Sequence, residues 1–545
     1  MANKDLKLIN SLIEKSKSIN DIKFNCNDQD QLKKYEDCQK IVNHPLDEDI
    51  IAEIKKIDIR EDIDDEFQIY KYSKEINTLW KLIIEKSIKC LRFFDKREPF
   101  LTNKSKSPIA YGITELGDYF DKYTEFESLL YGGGKYYRDH VVHVFRTWLL
   151  GVECLLENNA KYLEKINIGE NVLVNPLEKI SIWSIISLTH DLGYPLEKSQ
   201  EIIDKTKDMM KSFVVNPIVS MDLSFNGVQN NMNDFVVRFL SSKMHKKEIY
   251  SSKNQGSLEV ENSSINYEAK YVARLQPKYY FKFQKSLEKS KHGILSAIII
   301  YKLLLYFLES DYNINEDYEF DEEDVRQFYI RREILRAISS HTCHDIYHLD
   351  MLNFAFLLII VDDSQEWGRK RIGELYVKTK TNYEFHEIKP NFNIEELEIE
   401  KNGKKRTIHL HKCTASEQFS LPSEDTSGLE RLLFSLVEQS ESYKEIFRDG
   451  QDTSSRNFTF IKKSKINCED SKTVVFDIGF IISNGEDSIF SIEVSITSNN
   501  RVNNKYDIKF LKKVYTNCTV EEILRDDDKI KYEISVKSPL RRKRS

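Results

Sequence analysis

The chain has 545 residues, a formal net charge of −7 and 31% charged residues. That length exceeds what one hydrophobic core organises, so two or three domains are expected, and the acidic balance argues against a general nucleic-acid binder while leaving room for a local basic groove. Eight cysteines (Cys26, Cys38, Cys90, Cys154, Cys343, Cys413, Cys468, Cys518) show no C-x-x-C pairing, which speaks against a disulfide framework or a structural zinc site and for reduced thiols in a cytosol.

The N-terminus, MANKDLKLINSLIEKS, lacks the apolar core of a signal peptide, so a cytoplasmic location is expected. Residues 1–125 are rich in Lys, Glu and Ile with helical periodicity and few glycines, and read as a helical N-terminal layer. At YGGGKYYRDH, Gly132 to Gly134 interrupt the pattern ahead of a helix that carries His140 and His143. A glycine run before a helix can hold phosphate on free backbone N–H groups, but this one lacks the spacing and Ser/Thr of a P-loop, and a plain connection is the simpler reading. His140 and His143 are three residues apart on one helix and share a face. Arg146, one turn further, reads as either a salt-bridge partner or a phosphate contact.

The next segment, ISIWSIISLTHDLGYP, is apolar nearly all round before His190-Asp191. A carboxylate emerging from such a helix needs a compensating partner. Leu357 to Val361 repeat the situation before Asp362-Asp363. Imidazole and carboxylate together are the ligand set for Zn, Mn or Fe, and a second metal becomes possible when more than four such groups converge. An adjacent His-Asp can supply one ligand to each of two metals, or both to one. On a helix Asp362 and Asp363 point about 100° apart, so only one faces a given centre.

From about 200 to 289 the hydrophobic pattern loosens, which reads as an insertion. Its end, Tyr271 to Phe283, interleaves basic and aromatic side chains, Lys278 and Lys282 among them. That suits stacking a base and neutralising phosphate, or equally an amphipathic helix with solvated lysines. His292 opens another apolar stretch, followed by a small-residue turn at Gly293, Ser296 and Ala297. This stretch, to Leu308, is shorter than the roughly 20 residues of a membrane span and reads as a buried helix. The acidic run NINEDYEFDEED reads as a solvated loop, and the helix after it ends at His341, with His344 and His348 close behind. After Gly373, alternating and β-branched segments with Asn-Gly turns signal strands and hairpins. The terminal RRKRS reads as a disordered basic tail.

The order His143, then His190-Asp191, then Asp362, each on a helix or at its end, resembles the HD-domain metal-dependent phosphohydrolases over roughly residues 126–375. The resemblance implies a mainly α protein: a helical N-terminal layer (1–125), an HD-type core (126–375, insertion about 200–289) and a smaller mixed α+β region (376–545) that regulates, oligomerises or covers the core. It implies His143, His190, Asp191 and Asp362 as ligands of a divalent ion (Mn, Mg, Fe, Co or Zn), with His292 and His341 added if two ions are held. In the family's register Asp362, not Asp363, meets the metal, and Asp191, His292 and His341 are the expected catalytic groups. His140, Arg146, Tyr194, Lys278 and Lys282 are the expected substrate contacts. Implied substrates carry phosphate esters or anhydrides, and the leading expectation is hydrolysis of dNTPs to deoxynucleoside and triphosphate, as in anti-phage nucleotide depletion. The dNTP branch usually has further histidines soon after the HD pair, whereas here Leu192-Gly193-Tyr194-Pro195 follow and no histidine comes before His245. The lysine after the pair and the double histidine of the cyclic-dinucleotide branch are absent too. A two-metal phosphodiesterase on cyclic nucleotides or single-stranded nucleic acid, and a degenerate nucleotide sensor, are the alternatives. A nucleotide effector, a homo-oligomer and no membrane span complete the expectations.

Overall fold

The computed structural model describes residues 4–57, 66–95, 112–133, 140–210, 228–250, 267–308, 318–343, 352–365, 384–422, 428–436, 457–469, 474–498, 508–515, 518–526 and 529–536, apart from isolated positions and short gaps within these ranges, with Tyr312, Asn315 and Ile346 besides. His344, His348, His386, Gly134 and the terminal RRKRS lie outside the described residues.

The protein is mainly α with a smaller C-terminal region of strands. Helices α1 (Lys4–Lys17), α2 (Gln29–Ile41), α3 (Glu48–Ile54), α4 (Glu66–Phe93) and α5 (Ile113–Gly133) precede α6 (Val141–Lys165) and α7 (Pro176–Thr189). The start of α7 is written in the sequence. Asn175 caps it in a reciprocal box with Glu178, and Pro176 takes a first-turn position where its missing N–H costs nothing. Every residue of α7 is buried, as its unbroken apolar pattern predicts. Polar positions in it bond inward, with Ser181, Ser184, Ser187 and Thr189 donating to carbonyls one turn back.

The N-terminal layer grips the far end of this helix. Trp80 Nε1 of α4 donates to the Leu188 carbonyl at 2.6 Å, and Tyr119 Oη of α5 donates to Leu192 O at 2.8 Å. Trp80 stacks on Phe120 with ring centroids 4.1 Å apart. Arg146 of α6 forms a buried fork with Asp5 of α1, its Nη2 2.7 Å from Oδ2.

His44, just ahead of α3, is buried, and its Nδ1 accepts from the Leu46 N–H at 3.3 Å, which requires an unprotonated Nδ1. Burial, with a smaller push from Lys86 and against the pull of Asp47, lowers its pKa from 6.5 to about 4. Between those two values the unfolded chain binds a proton that the fold does not, so stability falls as pH falls through this window. Unfolding in urea at pH 7.5 and pH 5 should differ by about 2 kcal/mol from this group. His44→Gln should lose that increment; an equal pH dependence in the variant would remove His44 as its source.

Beyond α7 come α8 (Tyr194–Met210), α9 (Val228–Ser241), an antiparallel hairpin of β1 (Ser242–Tyr250) and β2 (Tyr267–Leu275), α10 (Pro277–Glu288), α11 (His292–Leu303), α12 (Leu305–Leu308), α13 (Glu322–Ser340) and α14 (Phe354–Ser364). The stretch expected as a loose insertion is more integrated than its composition suggests. Val236, Val237, Phe239 and Leu240 of α9 are fully buried in the main core. Tyr271 to Phe283 is not one amphipathic helix either. Gln276 and Pro277 split it into the end of β2 and the start of α10, because proline fixes a helix start but cannot continue a preceding one. The supposed small-residue turn after His292 is the first turns of α11, and part of the acidic run, Asp321 to Asp324, is the capping box and first turn of α13.

The C-terminal strands form an eight-stranded sheet of β3 (Glu384–Phe385), β4 (Lys389–Lys401), β5 (Lys404–Pro422), β6 (Asn457–Glu469), β7 (Val474–Asn484), β8 (Ser488–Ser498), β9 (Cys518–Arg525) and β10 (Lys529–Val536), ordered β3-β5-β6-β7-β8-β10-β9 with β4 also on β5. Among the described residues only β5 and β6 pair in parallel. The pairing of Lys401 with Lys404 leaves the two residues Asn402-Gly403 between β4 and β5, the hairpin that dipeptide predicts. A helix α15 (Ile508–Val514) packs on β9.

Two hydrophobic cores meet at α14. Leu357, Leu358 and Val361 pack into the helical core, whereas Phe356, Ile359 and Ile360 pack into the core of the sheet. The helix that carries Asp362 in its last turn is thus held from both sides. Among the described residues no helix is long and apolar enough to cross a membrane.

Candidate metal centre

Five helix ends converge on one buried cluster. His143 sits in the first turn of α6, His190 is the residue after α7, Asp191 follows it, His292 opens α11, His341 follows α13, and Asp362 lies in the last turn of α14. The atoms of His143, His190 and Asp362, and those of His190, Asp191 and His341, form two groups within 4.8 Å, each able to hold a metal ion.

Asp191 stands between them. Its Oδ2 is 3.5 Å from His190 Nε2 and 3.8 Å from His143 Nε2, while its Oδ1 is 3.3 Å from His292 Nε2 and 3.7 Å from His341 Nε2. Asp362 Oδ1 closes the first side at 2.7 Å from His143 Nε2 and 3.6 Å from His190 Nε2. Asp362, rather than Asp363, is the carboxylate turned to the histidines.

The four imidazoles are oriented in the same sense. His190 Nδ1 donates to Ser187 O at 2.7 Å and His341 Nδ1 to Ile338 O at 2.5 Å, each three residues back on its own helix. His292 Nδ1 donates to Glu197 Oε2 at 2.7 Å, and His143 Nδ1 bonds Gln365 Oε1. With Nδ1 committed to an oxygen acceptor, each ring turns its Nε2 toward the centre, the orientation of metal-ligating histidines. The Nε2 atoms of His190 and His341 are buried with no hydrogen-bond partner. Buried polar atoms are seldom left so, and a cation between them and the carboxylates would satisfy both. The residues therefore fit a divalent metal.

Electrostatics agree. Burial opposes charge on Asp191 and Asp362, yet the surrounding imidazoles hold both carboxyls well below the usual carboxylate range. Burial would likewise depress His190, but Asp191 and Asp362 outweigh it and raise it to about 9. His341 is lowered, because burial and its neighbouring histidines outweigh the attraction of Asp191.

Close approach of the elements depends on two glycines. A Cβ at Gly193 would lie 2.4 Å from His292 O and 2.7 Å from Leu295 Cβ; one at Gly293 would lie 2.7 Å from Ile338 O and 3.0 Å from His341 Cε1. The Gly193 N–H also donates to Ser296 Oγ at 2.8 Å, which ties the turn after Asp191 to α11.

Of the expected substrate contacts, His140 and Tyr194 lie beside the centre. Their rings stack with centroids 3.8 Å apart, and Tyr194 meets His292 edge-on at 5.4 Å. Arg146 takes the salt-bridge alternative, paired with Asp5 in the core. Lys278 and Lys282 lie on α10, and neither forms an ion pair with Asp191 or Asp362. At the start of α6, Glu127 of α5 accepts the His140 N–H at 2.5 Å and the Val141 N–H at 3.3 Å, so these two groups are already occupied.

Two groups that orient the histidines escape a sequence reading. Gln365 is three residues past Asp362, a spacing that shares a helix face, and was the more findable. Glu197 looks like an ordinary acidic residue in the first turn of α8. In the structure it bonds both His292 Nδ1 and the His292 N–H and pairs with Lys291 at 2.8 Å. Although burial works against it, these partners hold its carboxyl down to about 2. Glu197→Gln should weaken metal uptake on the His292 side by roughly ten- to a hundredfold while sparing the Asp362 side, read as one weakened step in a metal titration. Two unchanged steps would show that Glu197 does not tune the centre.

Comparison of the chain with protein-family models, with curated proteins and with solved structures finds no match in any of the three.

Proposed function

We propose that the chain is a metal-dependent phosphohydrolase of the HD type acting on nucleotides, with a centre suited to two divalent cations. The observation that carries this reading is the Asp191 carboxylate, whose two oxygens face separate pairs of histidine Nε2 atoms. A divalent cation held here would supply Lewis acidity toward a phosphoryl oxygen and an activated water. The residues supply the rest. Asp191 and Asp362 compensate cationic charge, and the Nδ1 anchors fix each imidazole with its Nε2 toward the centre. The stacked His140 and Tyr194 present an aromatic edge next to His292 on which a base or sugar can rest.

Hydrolysis of dNTPs to deoxynucleoside and triphosphate is the first reaction to test. A phosphodiesterase acting on cyclic nucleotides is the second reading, favoured by the placement of His292 and His341 on the far side of Asp191. Full-length protein loaded in turn with Mn, Mg, Co or Fe is incubated with dNTPs, NTPs and cyclic dinucleotides, and products are separated by chromatography. Intact triphosphate supports the first reading and linear dinucleotide the second. Stoichiometric metal without turnover of any phosphate ester would leave the degenerate sensor.

A further inference from the structure

Away from the metal centre, α13 carries a concentration of positive charge that the protein does not neutralise. Arg332 is only 8% exposed; its Nη1 donates to Ser242 O at 2.9 Å, and its Nε is buried with no hydrogen-bond partner. Its guanidinium lies 4.6 Å from the centre of the Tyr329 ring. One turn on, Arg336 is half-buried with its guanidinium 4.3 Å from the Tyr279 ring of α10. Among the described residues neither arginine forms an ion pair with a carboxylate. Glu333, the next residue after Arg332, attracts it at longer range only. Arg331 is answered by the neutral acceptors Tyr306 O and Gln327 Oε1.

For a pair of neighbouring guanidiniums this is costly. Arg146 and Arg326, also sequestered from solvent, are matched by Asp5 and Glu178. An uncompensated buried charge is strongly unfavourable, and like charges one helical turn apart repel. Burial together with the repulsion from Arg336 pushes Arg332 down to about 10. A dianion between the two guanidiniums would remove both penalties.

We propose that Arg332 and Arg336, walled by Tyr279 of α10 and the Ser242 carbonyl at the start of β1, form a second anion site that binds the phosphate group of a small molecule. Phosphate fits better than carboxylate because it brings close to two negative charges to two cations, and because its oxygens match the guanidinium fork. The site is distinct from the metal centre. Arg336 and Arg332 precede His341 by five and nine residues, which at 1.5 Å per residue is about 7.5 and 13.5 Å along the helix. Occupancy would therefore act on the helix that presents His341 without touching the metal-facing atoms. The inference concerns binding alone and stands whether or not the centre turns over a nucleotide.

The test uses the full chain with EDTA present throughout, so that no divalent ion at the metal centre can hold phosphate. Calorimetric titration with inorganic phosphate and, separately, with a nucleoside monophosphate distinguishes a free anion from a nucleotide as the source. The wild type should bind one phosphate group per chain, and Arg336→Gln, whose guanidinium touches only the Tyr279 ring, should bind at least about tenfold more weakly. Thermal unfolding separates a ligand site from a structural one. Without phosphate, Arg336→Gln should unfold at or above the wild-type temperature because repulsion is relieved; with saturating phosphate the order should invert. Absence of binding, equal binding by wild type and variant, or a variant destabilised by the same amount with and without phosphate would each overturn the proposal.

Discussion

Asp191→Ala is expected to deplete the centre of divalent metal and to reduce the proposed phosphohydrolase turnover by on the order of 10³-fold or more, since the activation at stake is several kcal/mol. The expectation follows from position. Its Oδ1 and Oδ2 lie 3.3 to 3.8 Å from the Nε2 atoms of four imidazoles, so one substitution removes a partner from both sides of the cluster. Asp362→Ala removes a partner from the His143 and His190 side alone and should leave part of the metal complement. The fold should survive both changes, because α7 is capped, packed and bonded independently of Asp191. Elemental analysis and turnover on refolding-competent protein decide the matter. Wild-type metal content and full activity in Asp191→Ala would refute the assignment of the centre.

Gly151→Ala should destabilise the helical core by at least the roughly 1–3 kcal/mol typical of overpacking. A Cβ at Gly151 would lie 1.9 Å from Trp183 Cζ2 and 2.2 Å from Cε2. That indole cannot swing aside: it is fully buried, its Nε1 donates to Trp148 O at 3.2 Å, and Trp148 Nε1 in turn donates to Ser184 Oγ at 2.9 Å. Relief must come from parting α6 and α7. Those helices carry His143 and His190, so metal affinity should fall together with the urea midpoint. The same substitution at Gly479, where a Cβ would meet nothing within 4 Å, supplies the control. A Gly151→Ala protein as stable as wild type would mean that the α6–α7 contact is looser than these distances require.

Much of this was legible in the sequence because it rests on local rules. The capping box at Asn175, the Pro176 start, the all-apolar faces of α7 and α14, and the Asn-Gly hairpin between β4 and β5 follow from neighbours within a few residues. Asp191 and Asp362 stood out because carboxylates at the ends of oily helices demand partners, whereas His143, His190, His292 and His341 were implied by the resemblance to the HD-domain phosphohydrolases. Local rules also misled where a tertiary contact overrode them. The stretch Tyr271 to Phe283 was as compatible with one amphipathic helix as with a base-stacking segment until Gln276 and Pro277 divided it between β2 and α10. Arg146 was as compatible with phosphate as with a carboxylate until α1 brought Asp5 to it, a partner 141 residues away.

What only the tertiary structure decided is geometry across the chain. No spacing rule places Asp191 between two histidine pairs or couples Glu197 to His292, because those distances are set by helix crossings that Gly151, Gly193 and Gly293 allow and a Cβ would forbid. Nor could the sequence say that α14 belongs to two cores. Its apolar residues look alike in sequence, but Leu357, Leu358 and Val361 face the helices while Phe356, Ile359 and Ile360 face the sheet. Hydrophobic burial is non-directional, so an all-round apolar helix specifies that it will be covered without specifying by what, and it is that double covering which fixes where Asp362 stands.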